Sequence, residues 1–501
     1  MRAPRLGWRI FVTCWLIFSL HFASNTVREL YPALSLGDHF SLRVDEYANL
    51  HPDLFEKPGY GWHINSNPGA SMLAAIPYAL VRPFVDRVVA SANLSRAAKG
   101  IDQAPVYDSP WPMARAFYQQ AWLRGLDLKF GLGALVSQSL CMAPLSALIV
   151  VLMFSLLKQL PATERAALPL ALLFAFGTPL FYRTGTLNHN LLLGHFAFAG
   201  FVVLWNPSAW VKWSDTQRAL AAGVAAGSGI LMDYSGVVPA VTLGLYMLHK
   251  MRSGQAAFQF ALGALGPLSL LWLAQWQSFG HPFYPAQHWM PAVAFSDQGY
   301  HGVALPKLDL LWQNGFDYRF GLFTSAPILL LALAAPWLRR QRIASRLEAP
   351  ELVFIFASVA GLWLFASAVQ FGRLQFNTGV RYMAPAFALL FVPAALALMQ
   401  LSPMPRGLLA AAAVTQAWCM AMYRDVERGL GLGEPVLQVF TGGLQLPFLT
   451  VLSRMSAQYG SFFQQPALPL LIFLFTAAFL YAMIWRPYLR ASHEPGNVLE
   501  N

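Results

Sequence analysis

The chain has 501 residues, of which 56% are hydrophobic and only 11% charged. Soluble domains carry roughly 25% charged residues, so the composition excludes an ordinary soluble globular protein and indicates an integral membrane protein. The net charge of +11 sits on basic residues in short connections between apolar runs, a mark of membrane topology rather than of nucleic-acid binding.

Arg2, Arg5 and Arg9 precede the first apolar run, about 10–23. No small-x-small cleavage site follows, so the run reads as a retained signal anchor rather than a cleaved signal peptide. Further apolar runs have the length of about 20 residues that a helix needs to cross a bilayer core. With the first, the predicted spans are 9–27, 131–157, 166–182, 189–206, 219–232, 235–249, 257–276, 321–338, 351–370, 382–400, 406–422 and 467–485. The weakest are 219–232 and 235–249, which only Asp233-Tyr234 separates. The expected fold is therefore an all-α polytopic membrane protein of about twelve transmembrane helices, forming a single membrane domain over 1–501.

With the N-terminus inside, the compact basic clusters all fall inside: Lys158/Arg165, Lys212/Arg218, Lys250/Arg252, Arg339/Arg340/Arg342/Arg346, Arg406 and Arg486/Arg490. That parity decides the segment 69–84, which is apolar enough to cross. A crossing there would move every later cluster outside, so the segment is expected to lie in the outer interface as a helix, with Pro77 inside it and Arg82-Pro83 near its end. A second amphipathic stretch, 112–129, is expected to lie nearby. The long outer loops are then 28–130, 277–320 and 423–466. Cys14, Cys141 and Cys419 fall in apolar runs, with neither disulfide nor metal spacing, and read as small buried hydrophobes.

The unusual polar residues collect on the outer side. In the first loop stand Asp38, Asp45-Glu46, His51, Asp53, Lys57, His63, Asn65 and Asn67; later come Arg183, Asn188-His189-Asn190, Asp233-Tyr234, Arg319, Arg373, Asn377 and Arg381. Ionisable groups close to a membrane are costly and are usually paired or functional. Asp45-Glu46 are the candidate catalytic pair, against the plainer reading of a solvated loop pair or a helix N-terminal charge pair. Arg381 suits a lipid phosphate through its guanidinium fork, or else anchors the interface; Arg373 and Arg319 are weaker candidates. His189 reads as a helix cap or a substrate contact. It stands six residues from His195, on a different helix face, which argues against a shared metal. Phosphate-loop, His-Glu-x-x-His and Gly-x-Ser-x-Gly motifs are absent from the sequence.

One span, an outer loop with an Asp-Glu pair, an apolar helix introduced by Asn67-Pro68-Gly69 and then many spans: this order resembles the class C fold glycosyltransferases that use polyprenyl-phosphate sugars. It is most similar to bacterial members related to the protein O-mannosyltransferases (glycosyltransferase family 39) and the lipid A aminoarabinose transferase. Phe176-Gly177-Thr178-Pro179, Phe279-Gly280-His281-Pro282-Phe283, Arg319-Phe320-Gly321-Leu322 and Gly379-Val380-Arg381-Tyr382-Met383-Ala384-Pro385 carry the similarity further along the chain. Relatives place a lysine before the interfacial helix, where this chain departs from the pattern with Asn65-Ser66-Asn67; Lys57-Pro58-Gly59 lies earlier and is a candidate substitute.

The resemblance implies a glycosyltransferase of a bacterial inner membrane, with cytoplasmic termini and a periplasmic site. It would move a sugar from a polyprenyl phosphate to an acceptor hydroxyl of a lipid, glycan or protein, with inversion. Asp45 would be the general base and Glu46 the second choice. Arg381, with Lys57 or Arg373, would carry the leaving phosphate, and His51, Asp53, His63, Asn65 and Asn67 would read sugar hydroxyls. No cofactor is required, although His and Asp residues on one face leave a divalent metal open. Other readings remain: a polytopic transporter or lipid flippase, an O-antigen polymerase or ligase, and a non-catalytic scaffold of the same fold.

Overall fold

The computed structural model describes residues 6–493 except 24–26, 108–111, 295, 341–345, 374–379, 424–430 and 455–460. The architecture is almost wholly helical, as expected. Among the described residues the one named sheet is a hairpin, Leu54–Lys57 against Gly61–Ile64, in the first outer loop.

Four helices are long and apolar enough to cross a membrane: Asp127–Lys158, Gly254–Phe279, Ala349–Ala368 and Ala467–Leu489. A fifth crossing arises if Gly433–Gly442 and Pro447–Arg454, bent by 68°, count as one. Some of the remaining apolar runs are short or interrupted helices, and others, such as Asp215–Met232 and Pro403–Met422, are long enough but less apolar, so the expected count of twelve is not reached. Proline accounts for part of this, since it removes a backbone donor and clashes with the preceding turn. Ala167–Phe176 stops before Pro179, and the 321–338 run breaks at Pro327 into a 3-10 stretch, Pro327–Ala334, and a short helix, Ala335–Arg340.

The first helix, Leu6–Leu20, packs on Ala143–Lys158. Their junction is fixed by polar groups that would otherwise be stranded in an apolar core. A π-turn at Gln138–Met142 brings the fully buried Gln138 side chain round to donate to the carbonyls of Phe18, at 2.7 Å, and Thr184, at 3.2 Å. The Trp15 indole donates to the Ser139 carbonyl at 2.7 Å.

Asp215–Met232 and Gly254–Phe279 cross almost in backbone contact. A Cβ at Gly223 would lie 2.0 Å from the Phe260 carbonyl oxygen, one at Gly227 2.4 Å from that of Ala264, and one at Gly263 2.2 Å from that of Leu220. This is the small-xxx-small packing that membrane helices use to approach closely. It holds the end of Asp215–Met232 in place, and Asp233 follows directly.

The expected interfacial segment is a helix that runs on to Ala98, Gly69–Ala98, through both Pro77 and Pro83. One face packs on Leu30–His39, where the Tyr78 hydroxyl donates to Asp38 at 3.2 Å. The opposite ridge, Ile76, Leu80 and Phe84, is bare. The turn before this helix docks on the end of Asp215–Met232 through Asn67, whose amide donates to the Ile230 carbonyl at 2.9 Å. Ser71 Oγ donates to the Glu29 carbonyl at 2.7 Å. The first loop is thus clamped over the helix ends, and a large cavity lies between them.

Candidate functional site

The cavity encloses about 1300 Å³. Its polar floor comes from four places in the chain: Arg28-Glu29 just after the first helix, His51 to Asp53 in the first loop, Asn188-His189 and Asp233-Tyr234. Arg183, Arg381 and Arg454 also line it. The walls are apolar and aromatic, with Tyr107, Met113, Phe117 and Tyr118 on one side and Leu362, Phe365, Val369 and Phe371 on another.

Glu29 is the centre of the floor. Its side chain is 3% exposed, and Oε1 lies 2.5 Å from Nδ1 of His189 and 3.0 Å from Nε of Arg28. Burial pushes this carboxyl upward, but the adjacent His189, Arg28 and Arg381 outweigh it and hold Glu29 well below the usual carboxylate range. Burial pulls the Arg28 guanidinium down, yet Glu29 and Asp53 more than offset that and raise it. Nη1 of Arg28 lies 3.6 Å from Asp53.

His189 is held at the first position of its helix. Asn188 caps that helix by accepting from the Leu191 N–H at 3.1 Å, which satisfies one of the unpaired donors of the first turn. With Nδ1 against Glu29, the nitrogen left is Nε2, which lies 3.3 Å from Nη2 of Arg28 and 3.5 Å from Oδ2 of Asp233. The other oxygen of Asp233 accepts from the Ser235 N–H and hydroxyl at 2.9 and 2.6 Å. Asp233 is thereby fixed with Oδ2 facing the imidazole. The Glu29 carboxylate on one ring nitrogen orients the imidazole and leaves the other nitrogen toward Arg28 and Asp233, so that a proton placed there would leave an imidazolium paired with carboxylates on both sides.

The residues singled out in the sequence divide between this site and other places. His51, Asp53, Asn65, His189 and Arg381 line the cavity. His51 Nδ1 accepts from the Asp53 N–H at 3.0 Å, and burial lowers the pKa of its ring. Asn65 Nδ2 lies 3.2 Å from the Met290 sulfur. Arg381 sits over the Tyr382 ring, 5.2 Å from its centroid.

Asp45 and Glu46 are not among the lining residues. Asp45 is half exposed; it pairs with Arg43 at 2.6 Å and accepts from the Trp62 N–H at 2.7 Å. Glu46 pairs with Lys129 at 3.1 Å. Lys57 also points elsewhere: its ammonium donates to the Phe279 carbonyl and lies 3.5 Å from the Trp289 ring centroid and 4.3 Å from that of Tyr60. It caps the end of Gly254–Phe279 and ties the hairpin to that helix. His63 is buried beside Phe279, with Nε2 3.2 Å from the Tyr60 carbonyl, and Asn67 makes the docking bond already described. The Arg373 side chain and Asn377 lie outside the described residues.

Sequence reasoning passed over Arg28 and Glu29, although Glu29 is the first carboxylate in the chain and follows the first apolar run directly. Among the described residues one group of three side chains has metal-ligand proximity: Asp38, His39 and Glu46, with atoms within 4.8 Å of one another. Lys129 already occupies it, its ammonium 2.9 Å from Asp38 and 3.1 Å from Glu46. An ammonium there supplies the positive charge that a cation would bring.

Comparison with protein-family models, with curated proteins and with solved structures found no match.

Proposed function

We propose that this chain is a membrane glycosyltransferase that takes a sugar from a polyprenyl phosphate, with its chemistry in the cavity floor rather than at Asp45-Glu46. The observation that carries the reading is the Glu29–His189 pair, 2.5 Å apart, beside Arg28 and within a cavity whose other walls are largely apolar and aromatic. An amphiphile with an anionic head suits that combination: its tail meets the aromatic and aliphatic wall, and its phosphate meets guanidinium groups.

In this mechanism the acceptor hydroxyl gives its proton to Nε2 of His189. The imidazolium is then flanked by Glu29 and Asp233, which stabilise it. The acceptor oxygen attacks the anomeric carbon as the bond from that carbon to the phosphate oxygen breaks. The electron pair leaves with the polyprenyl phosphate, and Arg381 and Arg28 carry the charge it gains. The donor phosphate draws Nη2 of Arg28 away from the imidazole, which frees Nε2 to accept. A single in-line displacement inverts the anomeric centre. His51, Asp53 and Asn65 face the sugar.

The fuller topology belongs to the same reading: about twelve membrane passages, cytoplasmic termini and a periplasmic cavity in a bacterial inner membrane. The bent pair Gly433–Gly442 and Pro447–Arg454 suits a re-entrant hairpin, since both its ends then stay outside and Arg486 stays inside.

The test is transfer from a panel of radiolabelled polyprenyl-phosphate sugars to endogenous acceptors. It uses membranes carrying wild type, Glu29→Gln or His189→Gln at matched protein level. Transfer by wild type that both variants lose supports the reading. Transfer that survives in both removes the floor from the chemistry. No transfer from any donor, with labelled lipid moving between leaflets instead, turns the assignment to a flippase.

A further inference from the structure

We infer that the first and last helices together form a binding site for the phosphate of an anionic membrane lipid, centred on Arg9 and Arg486 and remote from the cavity. The inference does not rest on the transferase reading.

The site follows from how the two helices meet. The first helix and the turn after it carry a polar stripe, Arg9, Thr13 and His21, and Ala467–Leu489 lies along it. Arg9 sits over the Tyr488 ring, 5.3 Å from its centroid. The Trp485 indole donates to the Thr13 hydroxyl at 3.0 Å, and the His21 and Phe473 rings lie 5.7 Å apart. One numbering rises as the other falls, so the helices are antiparallel. Arg486, next after Trp485, therefore comes at the height of Arg9 and Thr13. The outer flank of the last helix is bare: Leu471, Leu474, Phe475 and Met483 are exposed, and so is Arg486.

Depth makes these two cations costly. Gly7 packs on Val151, 3.4 Å from where its Cβ would lie, while Phe18 meets Gln138. Lys158, the basic end of that neighbouring helix, stands seven residues beyond Val151, about 10 Å at 1.5 Å per residue. Arg9 lies on the opposite side of Gly7, nearer the middle of the bundle. Charges at such depth are usually paired, yet the chain supplies no counter-charge. Arg9 is 3% exposed, and its Nε is buried with no hydrogen-bond partner. Neither 1–28 nor 435–493 contains an Asp or Glu, and the next acid, Glu494, lies outside the described residues.

A lipid phosphodiester supplies what is missing. Its oxygens accept from a guanidinium through two parallel bonds, and its acyl chains cover the bare flank of the last helix. Trp8, beside Arg9 and 55% exposed, suits the headgroup level. Net charge selects among lipids: a zwitterionic head would bring an ammonium up to two guanidinium groups, and an anionic head brings none. The bound lipid ties the last helix to the first.

The experiment titrates the full chain in a neutral detergent with dioleoyl phosphatidylglycerol, dioleoyl phosphatidylethanolamine and inorganic phosphate, read by native mass spectrometry. One tight equivalent of phosphatidylglycerol is expected on wild type. Arg9→Gln and Arg486→Gln should each weaken it by at least about tenfold, the order of a lost charge-assisted bond. Arg9→Lys should keep part of the binding. Arg486 is exposed, so Arg486→Gln should melt like wild type without added lipid, which separates lost binding from lost folding. Arg381→Gln, in the cavity, should leave this equivalent intact.

Equal binding by wild type and both glutamine variants overturns the site. An equivalent lost in Arg381→Gln alone puts the lipid in the cavity and overturns it as well. Loss in Arg9→Gln alone, with no recovery in Arg9→Lys, reduces Arg9 to a packing role and overturns the shared site. Phosphatidylethanolamine bound as tightly overturns the selection by net charge, and inorganic phosphate bound as tightly overturns a lipid as the source of the phosphate.

Discussion

Nδ1 of His189 lies 2.5 Å from the carboxylate of Glu29, though the two residues are 160 positions apart in sequence and both are buried. A buried carboxylate against an imidazole nitrogen fixes which nitrogen faces the cavity. Glu29→Gln keeps the shape and removes the charge that would stabilise the imidazolium. Transfer activity should fall by about 10²–10⁴-fold, the usual contribution of a positioned acid–base group. His189→Gln should cost a similar factor. The double variant should be scarcely worse than either single one, because the two act as a unit. Initial rates for the four proteins at matched membrane content measure this, and additive losses would separate the residues.

Arg381 is expected to act on the donor and not on the proton. Arg381→Gln should raise the donor KM and lower kcat, with kcat/KM down about 10–100-fold, as expected for one charged hydrogen bond to a leaving phosphate. Arg381→Lys should recover only part of this, since an ammonium lacks the planar fork. Steady-state kinetics against donor concentration give both constants. A change confined to the acceptor KM would move Arg381 to the other substrate.

Asp45→Asn separates the acidic pair prominent in the sequence from the site that the structure assembles. Asp45 is half exposed and serves Arg43 and the Trp62 N–H. The substitution should leave transfer within about twofold of wild type. It should cost at most about 1 kcal/mol, the range of an exposed ion pair. A loss of activity as deep as that of Glu29→Gln would return the chemistry to the first-loop pair.

The helical class was legible because hydropathy and the scarcity of charge leave a membrane chain few options. The start of the His189 helix was legible too, since Asn188 is a good cap and the apolar run follows it. The site was only partly so. Composition draws attention to Asp45-Glu46 because two carboxylates stand together, but adjacency in sequence says nothing of which residues face a cavity. Glu29 stands alone and becomes notable only when Arg28, Asp53, His189 and Asp233 meet around it. Lys57 shows the same limit: its place before a Pro-Gly turn suits phosphate, but the hairpin carries it to the end of Gly254–Phe279. Of the twelve expected spans, four or five are borne out by helix length and composition, and the difference has a separate cause. Hydropathy measures how apolar a run is, whereas Pro179 and Pro327 decide where its helix stops.

The crossing of Asp215–Met232 and Gly254–Phe279 predicts a steric phenotype. At Gly227 a Cβ would lie 2.4 Å from the Ala264 carbonyl oxygen, which is backbone and cannot rotate away. Gly227→Val should therefore push the helices apart. It should destabilise the chain by about 1–3 kcal/mol or more, as overpacking does. It should also lower transfer, because Asp233 follows the end of Asp215–Met232. Gly254→Ala, in open space at the start of the second helix, is the control and should melt like wild type. Thermal melting in detergent distinguishes the pair.

His63 predicts a pH dependence of stability that arises outside the cavity floor. Burial pushes its imidazole down to about 4 from the ordinary 6.5, against a weaker opposing pull from the Tyr60 carbonyl. Below 6.5 the unfolded chain takes up a proton that the folded chain refuses until about pH 4. The unfolded state then binds more protons, so stability must fall as pH drops across that window, by at most about 3 kcal/mol. Above 6.5 the contribution is fully present and flat. His63→Gln removes the titration while keeping a side chain able to donate to the Tyr60 carbonyl. The difference in melting temperature between wild type and His63→Gln should therefore change between pH 7 and pH 4.5, with wild type losing more. A constant difference across that range would mean that His63 titrates alike in both states and that its burial carries no proton linkage.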